Sequence, residues 1–291
     1  MHLFYRFLSF KKSLAFILLL GSTIALGCSK GSGEIVDKEP AESQSGKGQS
    51  IRVLTYNIHH ANPPAHSGKI DLDAIATIIK ESKADLVAVQ ELDSAASRSN
   101  REFQLKVLAE KTGMHYFFAK AIPYDGGGYG IGILSKYPIS DLQNIPLPED
   151  LSLGNYEDRA LALVKVLLPD NRIVYFGSTH LDVNKEENRM LQAQKIVDVT
   201  AALKAPVIIA GDMNALGTSQ SINLLTNYYT NASKKLEPTI PNTNPTRKID
   251  YVFYAKHGDF TLLNEEVIRS GIASYASDHL PFVVELSLAK K

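Results

Sequence analysis

Several apolar runs of this chain end on an acidic or carboxamide residue, and this repeated arrangement constrains the fold more than any other feature. The run Ile51–Asn57 is rich in apolar and β-branched residues, and Asn57 stands where a strand of that length should end. Three later runs have the same form and end at Gln90–Glu91, His180–Asp182 and Asp212–Asn214. Because strand ends hold side chains at fixed positions, we expect these polar groups to meet at one edge of a sheet.

Two further segments add acid and a second histidine to this set. Asp250 opens the apolar run that follows it, and Asp278 stands directly before His279. Carboxylate and carboxamide oxygens are the donors that hard divalent cations prefer. Since Mg²⁺ keeps several of its waters, Glu91 and Asn57, helped by Asp278, are enough to predict a metal site with Mg²⁺, or alternatively Mn²⁺, as the cofactor.

The rest of the chain alternates strands with about three helices. Asp71 caps a helix whose apolar residues follow helical spacing, a second helix is predicted over Arg101–Lys111, and Asn184 with Glu187 resembles a capping box that starts a third. We therefore expect an α+β fold, an α/β sandwich of two packed, mostly antiparallel β-sheets flanked by helices in four layers. The hydrophobic content of 44% is enough for one domain over residues 51–291.

The N-terminus has the pattern of an export signal. Basic residues up to Lys12 precede the apolar run Leu14–Leu20, and small residues then lead to Cys28, the only cysteine. The pattern resembles a bacterial lipoprotein signal, which implies that residues 1–27 are a signal peptide and that Cys28 is lipidated. The place three residues before Cys28 is Ala25 rather than the usual leucine. A plain secretory signal with an incidental cysteine is the alternative, although an exposed thiol is a liability in an oxidising compartment.

Residues 28–50 are rich in Gly, Ser, Lys and Glu and predict a flexible tether. We therefore expect an exported cell-envelope lipoprotein, facing the periplasm or the cell surface, that meets a membrane through its lipid anchor. A secreted protein is the alternative. The formal net charge is +0, and removal of the signal peptide with Arg6, Lys11 and Lys12 leaves about −3. This balance argues against a protein that tracks duplex DNA through its phosphates.

Seven short motifs occur in an order that resembles the endonuclease/exonuclease/phosphatase superfamily. They are Thr-Tyr-Asn57, Gln-Glu91, Gly-Tyr129-Gly, Ser-Thr-His180-Leu-Asp182, Gly-Asp212-Met-Asn214, Ile-Asp250-Tyr and Ser-Asp278-His279. That superfamily includes pancreatic-type deoxyribonuclease, exonuclease-III-like repair enzymes, neutral sphingomyelinases and inositol polyphosphate 5-phosphatases. Any one motif is weak, because a lone Asp or Asn at a strand end is most often a turn or cap residue. Independent turn residues have no reason to fall in this order.

The resemblance implies a role for each matching residue. His279 would be the base that deprotonates the attacking water, and Asp250 would fix its tautomer. Asp212 and Asn214 alternate along an extended chain and would face the water and a phosphoryl oxygen, or a second metal. His180 would donate to a phosphate oxygen.

One tyrosine, one arginine and three further histidines complete the set of candidate site residues. Tyr129, which follows a glycine-rich loop that opens a strand rather than a helix, would contact phosphate. Arg159 is a further anion contact, with a structural ion pair as its alternative. Three other histidines, His59, His60 and His66, are interpreted as loop residues near the cleft mouth rather than as a metal site.

Two departures limit what the resemblance carries over. In the deoxyribonuclease branch an acidic residue two positions after the tyrosine partners the first histidine, and that place is Ile131 here. The chain has no tryptophan, so the Trp-bearing DNA-contacting segments of the repair branch have no counterpart.

The sequence thus predicts a metal-dependent phosphoesterase, expected to be a monomer, that hydrolyses phosphodiesters or phosphomonoesters through an activated water attacking in line. Lipid headgroups, inositol phosphates and nucleic acid or nucleotides are the candidate substrates. One alternative is a secreted Mg²⁺-dependent endonuclease that acts on extracellular DNA. Another is a surface binding lipoprotein that has lost catalysis.

Overall fold

A computed structural model describes residues 48–154, 157–257 and 259–290. The predicted signal peptide, the lipidation site Cys28 and all but the last three residues of the predicted tether lie outside these ranges. Strand β1 begins at Gln49, so the last two residues assigned to the tether belong to a strand. Within the described ranges, no helix is both long and apolar enough to span a bilayer.

Twelve strands of the described ranges form two six-stranded sheets. The first sheet has the order β11-β12-β1-β2-β4-β3, and the second has the order β5-β6-β7-β8-β10-β9. The strands are β1 Gln49–Asn57, β2 Leu86–Ser94, β3 His115–Tyr124, β4 Gly127–Ser135, β5 Ile139–Leu147, β6 Arg159–Leu167, β7 Ile173–His180, β8 Val207–Asp212, β9 Tyr229–Asn231, β10 Asp250–Ala255, β11 Phe260–Val267 and β12 Phe282–Leu288. Each sheet has one parallel pair, β1 with β2 and β7 with β8, and its other pairs are antiparallel.

In the part of the chain that the structure describes, five α-helices flank the two sheets. They are α1 Leu72–Ser82, α2 Gln104–Thr112, α3 Glu186–Ala201, α4 Gln220–Tyr228 and α5 Gly271–Ala276. Helices α1, α2 and α5 pack on the first sheet, while α3 and α4 pack on the second. The predicted four-layered α/β sandwich with mostly antiparallel sheets is therefore confirmed.

The hydrophobic core explains why the sheets pack in this way. A large buried cluster joins the inner faces of both sheets to α1 and α2, and a smaller one lies between the second sheet and its two helices. The central strands are apolar on both faces, as in β8, which is buried along its whole length. Burial on two sides is expected for strands covered by a second sheet and by a helix.

Some local predictions differ from the structure. Helices α4 and α5 were not predicted, and α2 begins three residues later than expected. Helix α3 begins at Glu186, two residues after the predicted start at Asn184, and its N-cap residue is Lys185, with no side-chain cap. In the turn before the helix, the backbone N–H groups of Asn184 and Lys185 donate to Asp182 Oδ1 at 2.7 and 2.6 Å.

Candidate active site

The polar strand ends meet in one cavity of about 340 Å³. It lies where β1, β7 and β8 end and where β6 and β10 begin. Its walls are formed by Glu91, Tyr129, Glu157, Arg159, His180, Val183, Asp212, Asn214, Ile240, Arg247, Ile249, Asp278 and His279. Eight of the ten candidate catalytic, substrate and metal residues line this space, and the other two, Asn57 and Asp250, hydrogen-bond to its wall residues.

His279 is held between two buried carboxylates. Its Nδ1 lies 3.0 Å from Asp250 Oδ2, and its Nε2 lies 3.7 Å from Asp212 Oδ2. Burial alone would lower the pKa of His279, but the charges of Asp250 and Asp212 outweigh it and raise the pKa to about 10. Nδ1 is therefore the protonated nitrogen that donates to Asp250, and Nε2 is the nitrogen that exchanges protons with the cavity.

Ligand atoms of Asp212, Asp250 and His279 lie within 4.8 Å of one another, a spacing that also suits a metal ion. The hydrogen bond between Asp250 and His279 already engages one ring nitrogen and one carboxylate oxygen. The two aspartates are opposite each other on neighbouring strands, so the pairing of β8 with β10 fixes their separation. The hydrogen-bonded pair suits proton transfer by an oriented imidazole, while the spacing of all three ligand atoms also suits a metal ion.

The Asn57 carboxamide joins two acids. Its Nδ2 donates to Glu91 Oε1 at 2.9 Å and to Asp212 Oδ2 at 3.1 Å, while its Oδ1 accepts from the backbone N–H of His59 at 3.1 Å. A backbone donor at Oδ1 fixes which end of the amide is oxygen. In this geometry the N–H donors of the Asn57 amide point at the two carboxylates. The sequence suggested instead that the amide oxygen of Asn57 would bind metal, and the structure does not place it so.

Glu91 and Asp278 form the part of the cavity that suits a cation. Glu91 has a φ of 58° at an irregularity in the pairing of β2 with β4, and this local bend directs its carboxylate into the cavity. Burial raises the pKa of Glu91, and the negative charge of Asp278 raises it further. Within the described part of the chain, no lysine or arginine forms an ion pair with either carboxylate. Two carboxylates that face one cavity and form no ion pair with a lysine or arginine of the described chain fit a hard divalent cation.

Asp212 and Asn214 both line the cavity, as predicted, but through a turn rather than an extended chain. Asn214 has a φ of 48°, and its backbone N–H donates to Asp212 Oδ1 at 2.9 Å. Its Nδ2 donates to the carbonyl of Leu181 at 3.0 Å. The turn thus brings the two side chains to one wall and ties that wall to the end of β7.

His180 and Tyr129 face the same space from the two sheets. Tyr129 on β4 is buried, which raises the pKa of its hydroxyl, so that group remains a neutral donor. His180 at the end of β7 places its Nε2 3.5 Å from Asp212 Oδ2. Its Nδ1 lies 3.3 Å from Arg159 Nη1, so the partner of His180 that the sequence left open is an arginine.

Sequence reasoning missed several residues that build the site. Ser277 Oγ donates to the carbonyl of Asn57 at 2.7 Å and accepts from the backbone N–H of His279 at 3.2 Å, which joins β1 to the catalytic segment. Glu157 and Arg247 also line the cavity. The Ser-Asp-His motif contained Ser277 but gave no sign of its role, and no sequence signal marked Glu157 or Arg247.

The fold and the site define a class of protein, the four-layered α/β sandwich with a buried acidic and histidine cluster at the strand ends. Residues 54–279 match the model of the endonuclease/exonuclease/phosphatase family. The chain belongs to this family, whose members are hydrolases such as phosphatases and nucleases.

Individual relatives agree with this assignment. The uncharacterized protein YbhP of Escherichia coli (strain K12) is 24% identical over 258 residues, which cover 82% of this chain and 97% of YbhP. A family member from Beutenbergia cavernae has a TM-score of 0.70 at 26% identity, with 82% of this chain and 72% of that chain covered. The mannosyl-6-phosphatase Bt3783 of Bacteroides thetaiotaomicron has a TM-score of 0.67 at 20% identity, with 82% and 100% covered.

Proposed function

We propose that this protein is a divalent-metal-dependent phosphoesterase. The observation that carries the proposal is the Asp250–His279 hydrogen bond of 3.0 Å, which leaves His279 Nε2 directed toward a cavity that also contains Glu91 and Asp278. A base and its orienting carboxylate beside a cation site are what hydrolysis of an anionic ester requires, because hydroxide is repelled by the phosphate. A protein that only binds a ligand needs no such pair.

Glu91 and Asp278 would hold the cation. A bound Mg²⁺ or Mn²⁺ would offset the negative charge of the phosphate and, by its own positive charge, lower the pKa of His279 toward the range of a working base. Asn57 supports this site by donating to Glu91 and so holding its carboxylate in place.

The remaining residues bind and orient the ester. His279 takes a proton from the attacking water through Nε2, and Asp250 stabilises the imidazolium that results. His180, Tyr129 and Asn214 line the same cavity, where a phosphate oxygen would accept their hydrogen bonds. These donors are already fixed before substrate arrives, so little reorganisation is needed in the transition state.

A small soluble phosphoester is the substrate class that we favour. The net charge of +0 and the absence of tryptophan speak against a nuclease that follows duplex DNA. A cavity of about 340 Å³ suits a single phosphorylated group such as a sugar phosphate, an inositol phosphate, a nucleotide or a lipid headgroup. The likeness in fold to a mannosyl-6-phosphatase supports a phosphomonoester among these.

The test compares hydrolysis by the wild-type protein and two variants. A panel of phosphomonoesters, phosphodiesters and plasmid DNA is assayed with Mg²⁺, Mn²⁺ or Ca²⁺ and with chelator. We expect His279→Ala to lower kcat by at least about 10³-fold while it keeps the rise in melting temperature that a divalent ion produces. Glu91→Gln should lose both.

The outcome separates the rival functions. Plasmid nicking much faster than the turnover of small esters would favour the secreted endonuclease. No hydrolysis of any ester with any of the three ions would favour the binding lipoprotein.

We also propose that the protein is exported as a monomer and anchored through a lipid on Cys28. The charged, apolar and small-residue segments before Cys28 support this proposal. Membrane fractionation tests it, because Cys28→Ser should move the protein from the membrane pellet to the soluble fraction. Recovery of the wild-type protein in the soluble fraction would favour the plain secretory signal.

A further inference from the structure

Arg159 is the side-chain partner of one ring nitrogen of His180. Its Nη1 lies 3.3 Å from His180 Nδ1, and the side chains of both residues are buried, with 4% and 6% exposed. Ile131, where the resemblance to deoxyribonuclease would put an acidic residue, packs in the core. The partner of Nδ1 is therefore a guanidinium group in place of a carboxylate.

This replacement reverses the hydrogen bonding of the ring. A guanidinium group only donates hydrogen bonds, and it keeps its charge at every accessible pH. His180 Nδ1 must therefore accept, so the one N–H of the neutral ring lies on Nε2. That nitrogen is the one near Asp212 Oδ2, at 3.5 Å, on the wall of the cavity.

A carboxylate partner would produce the opposite arrangement. It would accept from Nδ1–H and leave Nε2 without a proton in the neutral ring, so Nε2 could donate only after the ring became an imidazolium. Such a histidine loses its donor as the pH rises through its pKa. With Arg159 as the partner, the neutral ring is already the donor.

The position of Arg159 is itself fixed by its surroundings. Arg159 opens β6, which pairs with β7, the strand that ends at His180. Its Nη1 also lies 2.8 Å from Glu157 Oε1, and this ion pair holds the guanidinium against the cavity wall. The strand pairing and the ion pair together leave Arg159 little freedom to turn away from the ring.

We propose that Arg159 is a positioning residue that fixes His180 as the neutral Nε2–H tautomer, so that His180 serves the reaction as a hydrogen-bond donor and not as an acid. Its catalytic part rests on the proposed phosphoesterase function, whereas the tautomer itself does not. Burial lowers the pKa of His180 well below its ordinary value, and the charges of Arg159 and His279 lower it further. Both effects agree with the neutral ring that the geometry requires.

The tautomer is measured directly by long-range ¹H–¹⁵N correlation spectra of the full-length protein labelled in its histidines, with His180→Gln used to assign the signals. We expect the wild-type spectrum to show a bare Nδ1 and a protonated Nε2 on His180, unchanged between about pH 6 and pH 9. A protonated Nδ1 on His180 would overturn the proposal.

Substitutions at Arg159 are the second part of this test. Arg159→Lys keeps a cationic donor and should preserve the tautomer, whereas Arg159→Met should give a mixture of the two forms and Arg159→Glu should reverse the wild-type form. Arg247→Met is the matched control, because Arg247 lines the same cavity and makes no contact with His180. An unchanged spectrum in Arg159→Met would overturn the proposal, and Arg159→Lys decides the matter if the other variants do not fold.

Measurements of kcat against pH separate this inference from the proposed function. In wild type and Arg159→Lys, His180 keeps its N–H donor at alkaline pH. We therefore expect no alkaline decrease of kcat that comes from this residue. In Arg159→Glu, kcat should fall about tenfold for each pH unit above the new pKa of His180. If no phosphoester is hydrolysed at all, the proposed function fails, and the spectra still decide the tautomer.

Discussion

The side-chain amide of Asn57 hydrogen-bonds two of the carboxylates that give this site its negative charge. Asn57 is buried and donates to both Glu91 and Asp212, and its own orientation comes from the backbone N–H of His59. His59, His60 and Ala61 all have positive φ values near 50°, a backbone conformation that non-glycine residues seldom adopt. Strain of this kind persists where the surroundings enforce it, and Gln104 does so by donating to the His60 carbonyl at 2.7 Å.

Asn57→Asp should therefore damage the site without changing its shape. The substitution replaces two donated hydrogen bonds by contacts between like charges, so we expect kcat/KM to fall about 10²-fold or more and stability in chelator to fall by about 2 kcal/mol. Steady-state kinetics and thermal unfolding measure the two effects, and a divalent ion should recover part of the lost stability. Asn62→Asp is the control, because Asn62 lies in the neighbouring loop and contacts neither carboxylate. Equal losses in the two variants would contradict this explanation.

The sequence showed which residues belong to this site but not how they are paired. Asn57 and Asp212 stand at strand ends, as the local periodicity predicted. The predicted strand end at Glu91 is wrong, because β2 continues to Ser94 and Glu91 lies at the bulge inside it, and His279 lies between α5 and β12. The direction of the Asn57 amide depends on the left-handed turn at His59, and a single sequence carries no signal for three consecutive positive φ values in non-glycine residues. Hydrogen-bond direction, rather than residue identity, was therefore beyond prediction.

At the scale of the elements, the parallel pair β7–β8 places His180 opposite Asp212. The close approach of the two strands depends on Gly211, where an added Cβ would overlap the carbonyl oxygen of Thr179. Thr179 directly precedes His180, so any movement of this backbone is passed on to both site residues. Glycine is needed at position 211 because it lets the two strands lie close together, and not because its backbone conformation requires glycine.

Gly211→Ala should therefore force the two strands apart. We expect a loss of about 2–3 kcal/mol in unfolding free energy, since overpacking of a rigid backbone contact is not relieved by rotation of a side chain. Chemical denaturation measures this loss. Gly217→Ala is the matched control, because the nearest atoms to its added Cβ lie at 3.8 Å and should tolerate it. Similar losses at both positions would show that the strand contact is not the cause.

Elements with strong periodicity were predictable, and the others were not. The apolar runs that became β1, β2, β7 and β8 are buried on both faces and end on polar residues, so composition and length were enough. Helix α5 has six residues, and α4 has nine, of which Ile222 and Leu225 are the buried apolar ones, so each is too short to repeat an apolar stripe over several turns. Their helical form depends on packing against partners that a single sequence does not show.

At the scale of the whole molecule, one lysine joins the two sheets. Lys248 precedes β10 of the second sheet, and its Nζ lies 3.2 Å from the ring centroid of Phe282 in β12 of the first. Within the described ranges its Nζ has no hydrogen-bond partner. Burial lowers the pKa of Lys248 to about 7, although the charges of Asp250 and Glu265 oppose this effect.

This burial makes the stability of the fold depend on pH. Because the pKa of Lys248 is about 7 in the folded state and about 10.4 in the unfolded chain, the unfolded state binds more protons between these values, and stability rises with pH there. Lys248→Met should be more stable than wild type at pH 6, by on the order of 2 kcal/mol, and the difference should vanish near pH 10. Thermal unfolding from pH 6 to pH 10 measures it.

His279 does not disturb this comparison. Its pKa is raised to about 10 in the folded state, so the stability it contributes is present below its ordinary pKa and is lost as the pH rises through about 10, which is the opposite trend. Because the residue is present in both proteins, its contribution cancels in their difference. A gap between wild type and Lys248→Met that stays constant with pH would contradict the assignment to Lys248.

The pairing of β1 with β12 has a consequence for how the protein meets its surroundings. Gln49 is opposite Leu288, so the described chain enters and leaves at one pole of the sandwich, while Asn57 reaches the cavity at the other. Eight residues at about 3.3 Å each place these poles roughly 26 Å apart. Under the proposed lipid anchor, the anchored segment joins the domain at the pole away from the cavity mouth, which leaves that mouth open to water-borne esters.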